Sequence, residues 1–307
     1  MKRRTGIAVV APGGYAPRDR DLGRAVTRLE DHGWRVKMLV EPGAAYQRFG
    51  ATDDGRVAQL HAAAADEDID IVLALRGGYG MSRILPLLDL DLLAGSGKLF
   101  VGHSDFTALQ MALLAHAGAP SFAGPMICDD FTREDASGYT LDGFRRCLAG
   151  PEHAVRFAHP ANPDVETEGL LWGGNLTMLA HLAGTPWMPH IEDGLLFIED
   201  VNEHPYRVER MLLQLHHAGV LRRQRAILFG DFTGYRLADY DNGYDFEAML
   251  DYIRGLTGIP LLRGLPFGHV RDKATLAVGA AARLQCAGGE CVLRMSGYPS
   301  LAGRAAA

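Results

Sequence analysis

The 307-residue sequence predicts an α/β protein with a parallel sheet in its first half and a mixed α/β second half. Three observations carry this expectation. Up to about residue 150, short β-branched runs alternate with longer amphipathic stretches, the signature of βαβ units. The second half uses the same element types without strict alternation. The length suggests about two domains at roughly 150 residues each, and no repeat or low-complexity tract points to a solenoid or propeller.

In chain order, Gly6 to Ala11, Val36 to Val40, Ile69 to Leu75 and Leu99 to Gly102 read as strands. Asp19 to His32, Asp53 to Asp66 and Asp105 to Ala117 read as the helices between them. In a doubly wound sheet the strand C-terminal ends share one edge, so the loops after Ala11, Leu75 and Gly102 should converge on one crevice. Residues 125 to 165 are richer in Asp, Arg, Pro and Gly, with a helix near Leu141 to Leu148, and suit a boundary. The expected division is therefore a first domain at 1–130, a linker at 131–164 and a second domain at 165–307. In the second domain, strands are expected near Gly194 to Ile198, Arg225 to Phe229 and Ala281 to Cys286. A helix from about Pro205 places Val208, Met211, Leu212 and Leu215 on one face. The tail from Ala302 to Ala307 should fray.

Composition removes several function classes. Hydrophobic residues at 48% and charged residues at 22% are ordinary for a soluble globular protein. A net charge of −6 leaves no global positive field for nucleic acid or an anionic membrane surface, so neither is expected as a partner. Lys2, Arg3 and Arg4 before an apolar run imitate a signal peptide, but Pro12, Gly13 and Gly14 cut that run short. No apolar stretch approaches the roughly 20 residues needed to cross a bilayer. Cys128, Cys147, Cys286 and Cys291 form no CxxC pair, which suits reduced thiols and a cytoplasmic location.

The sharpest local feature is Gly102-His103-Ser104-Asp105, where a strand gives way to a helix. A serine at such a corner can be lifted above the sheet as a nucleophile, although Ser at a helix start also serves simply as an N-cap. The GxSxG elbow is not met, because Phe106 occupies its last position. Arg76-Gly77-Gly78-Tyr79-Gly80 offers a backbone that a ligand can approach closely, or only a tight turn. A nucleophilic serine needs a base. His216 and His217 close a helix, where cations suit the dipole, and His103 adjoins the serine in sequence but points elsewhere. His269 lies in a Pro/Gly-rich loop, the usual carrier of function. Glu199 and Asp200 end an apolar strand, either as an orienting carboxylate or as ion-pair partners of Arg207 or Arg210. No HExxH or paired Cys/His spacing appears, so no metal or cofactor is expected.

Taken in order, these motifs fall into one pattern: Ile7 to Gly13, Arg76 to Gly80, Gly102 to Asp105, Gly173-Gly-Asn-Leu176, Phe197 to Glu203 with Pro205-Tyr-Arg207, and Pro266-Phe-Gly-His269. The set resembles the LD-carboxypeptidase family of serine peptidases, whose branches comprise murein tetrapeptide carboxypeptidases and microcin C immunity peptidases. The resemblance implies a flavodoxin-like N-terminal domain and a β-rich swivelling C-terminal domain. It also implies a Ser104, Glu199, His269 triad and an oxyanion hole from the amides of Asp105 and Gly78. Arg76, Asn175 and Arg207 are the substrate-binding candidates. Gly13-Gly14 and Ala123-Gly-Pro125 depart from the usual Ser-Gly and His-Gly-Pro. The implied activity releases terminal D-alanine from murein tetrapeptide during peptidoglycan recycling. A homodimer acting on a small stem peptide is expected. The alternatives are a microcin-type peptidase cleaving peptidyl or aminoacyl nucleotides, and a non-catalytic flavodoxin-like binding protein.

Overall fold

Buried apolar runs of the first half form β1 (Gly6–Val10), β2 (Arg35–Met38), β3 (Ile71–Ala74), β4 (Leu99–Gly102) and β5 (Ser121–Ala123) in the computed structural model. The structure describes residues 4–17, 21–41 and 43–302. The five strands pair in parallel in the order β5, β4, β3, β1, β2. Every residue of β1, β3 and β4 is buried, which is why they read as continuous apolar runs rather than alternating ones. The connecting helices are α1 (Leu22–Asp31), α2 (Asp53–Ala65), α3 (Met81–Ile84), α4 (Leu90–Gly95) and α5 (Thr107–Ala117). The expected start of the first helix at Asp19 and most of the expected frayed tail lie outside the described residues. In α5, all residues from Thr107 to Leu114 are buried. A helix apolar on every side must be covered on every side, and the second half supplies that cover.

The span 131–164 contains α6 (Gly138–Ala149) and β6 (Glu152–Ala158). Then follow β7 (Val165–Asn175), α7 (Leu176–Leu182), β8 (Gly194–Val201), α8 (Pro205–His217), β9 (Gln224–Thr233), α9 (Phe246–Thr257), β10 (Leu261–Leu262), β11 (Leu276–Val278), β12 (Ala281–Ala287) and β13 (Glu290–Ser296). A seven-stranded sheet runs β10, β9, β8, β7, β12, β13, β6, so the expected linker supplies one of its edges. Its β10 to β7 part is parallel and its β7 to β6 part antiparallel. β11 leaves this body altogether and pairs antiparallel with β5 of the first sheet. A strand that returns to the first sheet ties the halves together. No helix among the described residues is long and apolar enough to cross a membrane.

The cysteine expectation is corrected at the β12–β13 hairpin. Cys286 and Cys291 face each other in the ladder, with Cα atoms 4.1 Å apart, and form a disulfide. Gly288 and Gly289, at φ +57° and +85°, make the tight turn that brings them opposite. A five-residue spacing carries no disulfide signature of its own; the hairpin register creates the pair. Cys147 is a buried free thiol. Cysteine usage therefore no longer argues for a reducing compartment.

Between β7 and β8 the backbones approach closely at Gly173. Its φ is +131°, and a Cβ there would lie 2.0 Å from the Phe197 carbonyl oxygen. We predict that Gly173→Ala costs at least about 2 kcal/mol, as strained left-handed backbone and a main-chain clash combine. An unchanged urea midpoint would contradict this.

Candidate active site

The strand-to-helix corner after β4 holds Ser104 at φ +61°. For a non-glycine residue this conformation costs about 1–3 kcal/mol and persists only where the surroundings impose it. Gly77 lies against it: a Cβ there would sit 2.7 Å from Ser104 Cβ and 2.9 Å from its Oγ. Only glycine lets the loop after β3 lie this close over the serine. The N-cap alternative fails, since neither the turn at Ser104–Phe106 nor α5 carries a side-chain cap. Instead, Ser104 Oγ lies 3.0 Å from His269 Nε2.

His269 comes from the far half of the chain, and its Nδ1 lies 2.8 Å from Glu199 Oε2. A carboxylate only accepts, so Nδ1–H donates to it and Nε2 keeps a lone pair for the serine hydroxyl. Glu199 is fully buried near the end of β8. Across from it the β8–β9 register shifts: Ile198 faces Phe229 whereas Asp200 faces Phe232, leaving Gly230 and Asp231 opposite Glu199. Such a bulge bends a strand and re-aims its side chains.

A buried carboxylate must have its remaining lone pairs satisfied. Asn175 Nδ2 supplies Glu199 Oε1 at 3.1 Å and Asp200 Oδ1 at 3.1 Å. Its own Oδ1 accepts the Met178 N–H that starts α7, which fixes the amide orientation. The Asn175 amide N–H donates to Thr107 Oγ1 at 3.1 Å, crossing to the nucleophile helix. Asn175, a substrate-binding candidate, is 5% exposed and bonds Glu199, Asp200 and the first turn of α7. The ion pair considered between Glu199 and Arg207 does not form. Arg207 lies on the exposed face of α8, with Glu203 at 3.7 Å and the Tyr206 hydroxyl at 3.3 Å.

Asp105, immediately after the serine, is buried, and burial pushes its carboxyl upward despite the bonds it accepts. Its Oδ2 accepts the Met81 N–H at 2.9 Å, so it holds the Arg76 to Gly80 loop in place. Buried Arg56 bonds the Gly80 carbonyl of the same loop and the Pro12 carbonyl after β1, and is ion-paired with Asp53. The Gly77 carbonyl accepts the Gly14 N–H at 2.9 Å. In a trans peptide the following N–H, that of Gly78, then points the opposite way. Arg76 touches the Tyr15 carbonyl at 3.3 Å and, with Arg24, Arg133, Asp129 and Asp135, lines a cavity of about 580 Å³ at the edge where the first-sheet strands end.

Burial disfavours the charged imidazole of His269, but the hydrogen bond and charge of Glu199 outweigh it and raise its proton affinity above the ordinary value. His103 goes the other way: burial, then the charges of Lys273 and His269, hold it well below. Its Nδ1 bonds the Gly124 carbonyl at 2.8 Å, so it is a neutral wall beside His269 rather than a rival base. An NMR titration should show the His269 imidazolium persisting to higher pH than a free histidine. In Glu199→Gln the midpoint should fall below that of the wild type, because burial then acts with less opposition. The ion pair adds stability below the unfolded histidine pKa and loses it as pH rises through the raised folded value. A midpoint unmoved by Glu199→Gln would refute this electrostatic account.

Fold and site together define a two-body α/β protein with a serine, imidazole and carboxylate chain at the junction. The chain belongs to the LD-carboxypeptidase family: residues 7–124 match its N-terminal domain and residues 168–284 its C-terminal domain. It is similar to a solved muramoyltetrapeptide carboxypeptidase from Oxalobacter formigenes, with 54% identity and a TM-score of 0.93 over 96% of this chain and 100% of that one. A probable murein peptide carboxypeptidase of Bacillus subtilis is 32% identical over 92% of this chain and 89% of its own. The murein tetrapeptide carboxypeptidase of Pseudomonas aeruginosa is 33% identical, covering 91% and 92%. The microcin C7 self-immunity protein shares the fold, at a TM-score of 0.87 and 20% identity, with 98% of each chain covered.

Proposed function

We propose that this chain is a serine-type LD-carboxypeptidase that releases terminal D-alanine from the murein tetrapeptide. The observation that carries the reading is the unbroken chain from Ser104 Oγ through His269 to Glu199. Support for the substrate comes from the Oxalobacter relative, whose likeness extends over 96% of this chain.

In this reading Ser104 Oγ attacks the scissile carbonyl while His269 Nε2 takes its proton, and Glu199 stabilises the resulting imidazolium. The amides of Asp105 and Gly78 receive the oxyanion. His269 then protonates the leaving D-alanine amine, and the C–N bond breaks to leave an acyl ester on Ser104. Water, deprotonated by the same imidazole, attacks the ester and restores the serine. The serine's local strain suits this work, because the hydroxyl is held in place before substrate arrives. Arg76 is the cation offered to the substrate carboxylate, with a planar fork suited to bidentate binding. Arg207 is set aside, since Glu203 and Tyr206 already engage it locally.

Groups that act as one unit lose activity together. Ser104→Ala and His269→Ala should each lower kcat by about 10³-fold or more, and the double variant should be little worse than either; additive losses would contradict a shared proton transfer. The direct substrate test is mass spectrometry of the protein with L-Ala-D-Glu-meso-diaminopimelate-D-Ala, expected to show loss of one D-alanine. Inverting the terminal residue exchanges methyl and hydrogen at the α-carbon, and misplacement on the order of 1 Å costs about 100-fold. The L-alanine epimer should be cut at least that much more slowly. Equal kcat/KM for the two epimers would leave an unselective serine amidase instead.

A further inference from the structure

Lys273 and Asp130 form a buried ion pair outside the chain of groups just described. Lys273 Nζ lies 2.8 Å from Asp130 Oδ1, and the two side chains are 3% and 2% exposed. Asp130 Oδ2 also accepts Lys273 Nζ at 3.0 Å and the Met126 N–H at 2.9 Å. Asp130 sits in the irregular turn after β5, whose Asp129 takes a φ of +72°. Lys273 stands at the foot of the loop that carries His269. The Ala274 N–H donates to the Pro266 carbonyl at 2.6 Å, closing that loop with His269 within it.

Neighbouring contacts repeat the same junction. Thr140 Oγ1 accepts the Lys273 N–H at 2.9 Å and donates to the Arg271 carbonyl at 3.0 Å. Arg271 Nη2 bonds the Asp135 carbonyl at 3.0 Å. On the opposite flank the loop is held by β9, through the Asp231 N–H to the Phe267 carbonyl at 2.8 Å. The His269 loop is thus a wedge, seated on β9 beside Glu199 and on residues 130–140 beside the nucleophile half.

Stability alone explains such a pair poorly. Removing two charges from water costs several kcal/mol per ion, and well-packed apolar replacements are often as stable or more so. What an ion pair adds is a fixed geometry. We propose, on the catalytic reading above, that Lys273 and Asp130 are positioning residues: their buried ion pair seats the base-bearing loop on the nucleophile half and so sets the imidazole over Ser104.

The pair also leaves an electrostatic mark that a mere fastening would not. Facing His269 are Glu199 and Asp200 from β8, which favour its protonation, Lys273 from its own loop, which opposes it, and His103 from the β4 corner. Asp231 on β9 lies beyond, coupled to Glu199. Neutralising Lys273 therefore raises the proton affinity of His269. Because the base must be neutral to accept the serine proton, the rising limb of activity then moves to higher pH.

The test is the rate at which a fluorophosphonate inactivates the protein across pH, measured with the thermal midpoint of each variant. Lys273→Met should slow inactivation by at least about tenfold, given that displacement on the order of 1 Å can cost about 100-fold. Since Lys273→Met strands a buried carboxylate and can fail to fold, the neutral pair Asp130→Asn with Lys273→Gln is measured beside it. This double variant should keep a near-native midpoint, recover part of the rate and retain a limb displaced to higher pH. Wild-type rate and an unmoved limb in a folded double variant would overturn the proposal. The readout does not depend on the tetrapeptide: a wild type that is inactivated but does not release D-alanine removes only the substrate assignment. A wild type that never reacts with the phosphonate removes the triad and this proposal with it.

Discussion

A serine hydroxyl becomes a nucleophile only when something accepts its proton, and here the acceptor lies 165 residues further along the chain, 3.0 Å from Ser104 Oγ. Everything else in the architecture serves that contact. α5 is buried under the second half, β11 crosses back to the first sheet, and Asn175 reaches Thr107 at the start of the nucleophile helix. Each of these joins the two halves, and the Asn175 bond does so beside the site. The junction therefore has two tasks, holding the halves together and holding a proton path in line.

The local cost of the site is borne by its immediate surroundings. Ser104 occupies left-handed backbone, Asp105 keeps a buried carboxyl, and Arg56 is a fully buried guanidinium. None of these is favourable alone. They make sense jointly, because Asp105 and Arg56 bond the end of the glycine loop from two sides and that loop packs directly against the serine.

How legible this was in the sequence depended on the range of the interaction concerned. Strands β1, β3 and β4 were plain, since burial on both faces writes itself as an apolar run. Ser104 was visible as a corner residue, but the choice between cap and nucleophile rests on a partner that no local pattern reveals. The family pattern brought Glu199 and His269 forward as candidates. Asn175 stands directly against Glu199 through the β7–β8 register, a contact that no local pattern marks. Lys273 is buried, although nothing in the charged run Arg271-Asp272-Lys273 marks it as such. β6 was hidden in an expected linker because an edge strand needs little apolar character, and Cys286 met Cys291 only through a hairpin register. The shared lesson is that short-range periodicity fixes elements, while partners are set by tertiary register.

The central claim is that Ser104 is activated by a base from the other half of the chain, and peptide mapping after fluorophosphonate treatment tests it most directly. The account predicts a single phosphonyl adduct, on the peptide containing Ser104, formed readily by the wild type and almost abolished in His269→Ala at matched thermal stability. An adduct on another serine, or undiminished labelling of Ser104 without His269, would contradict it.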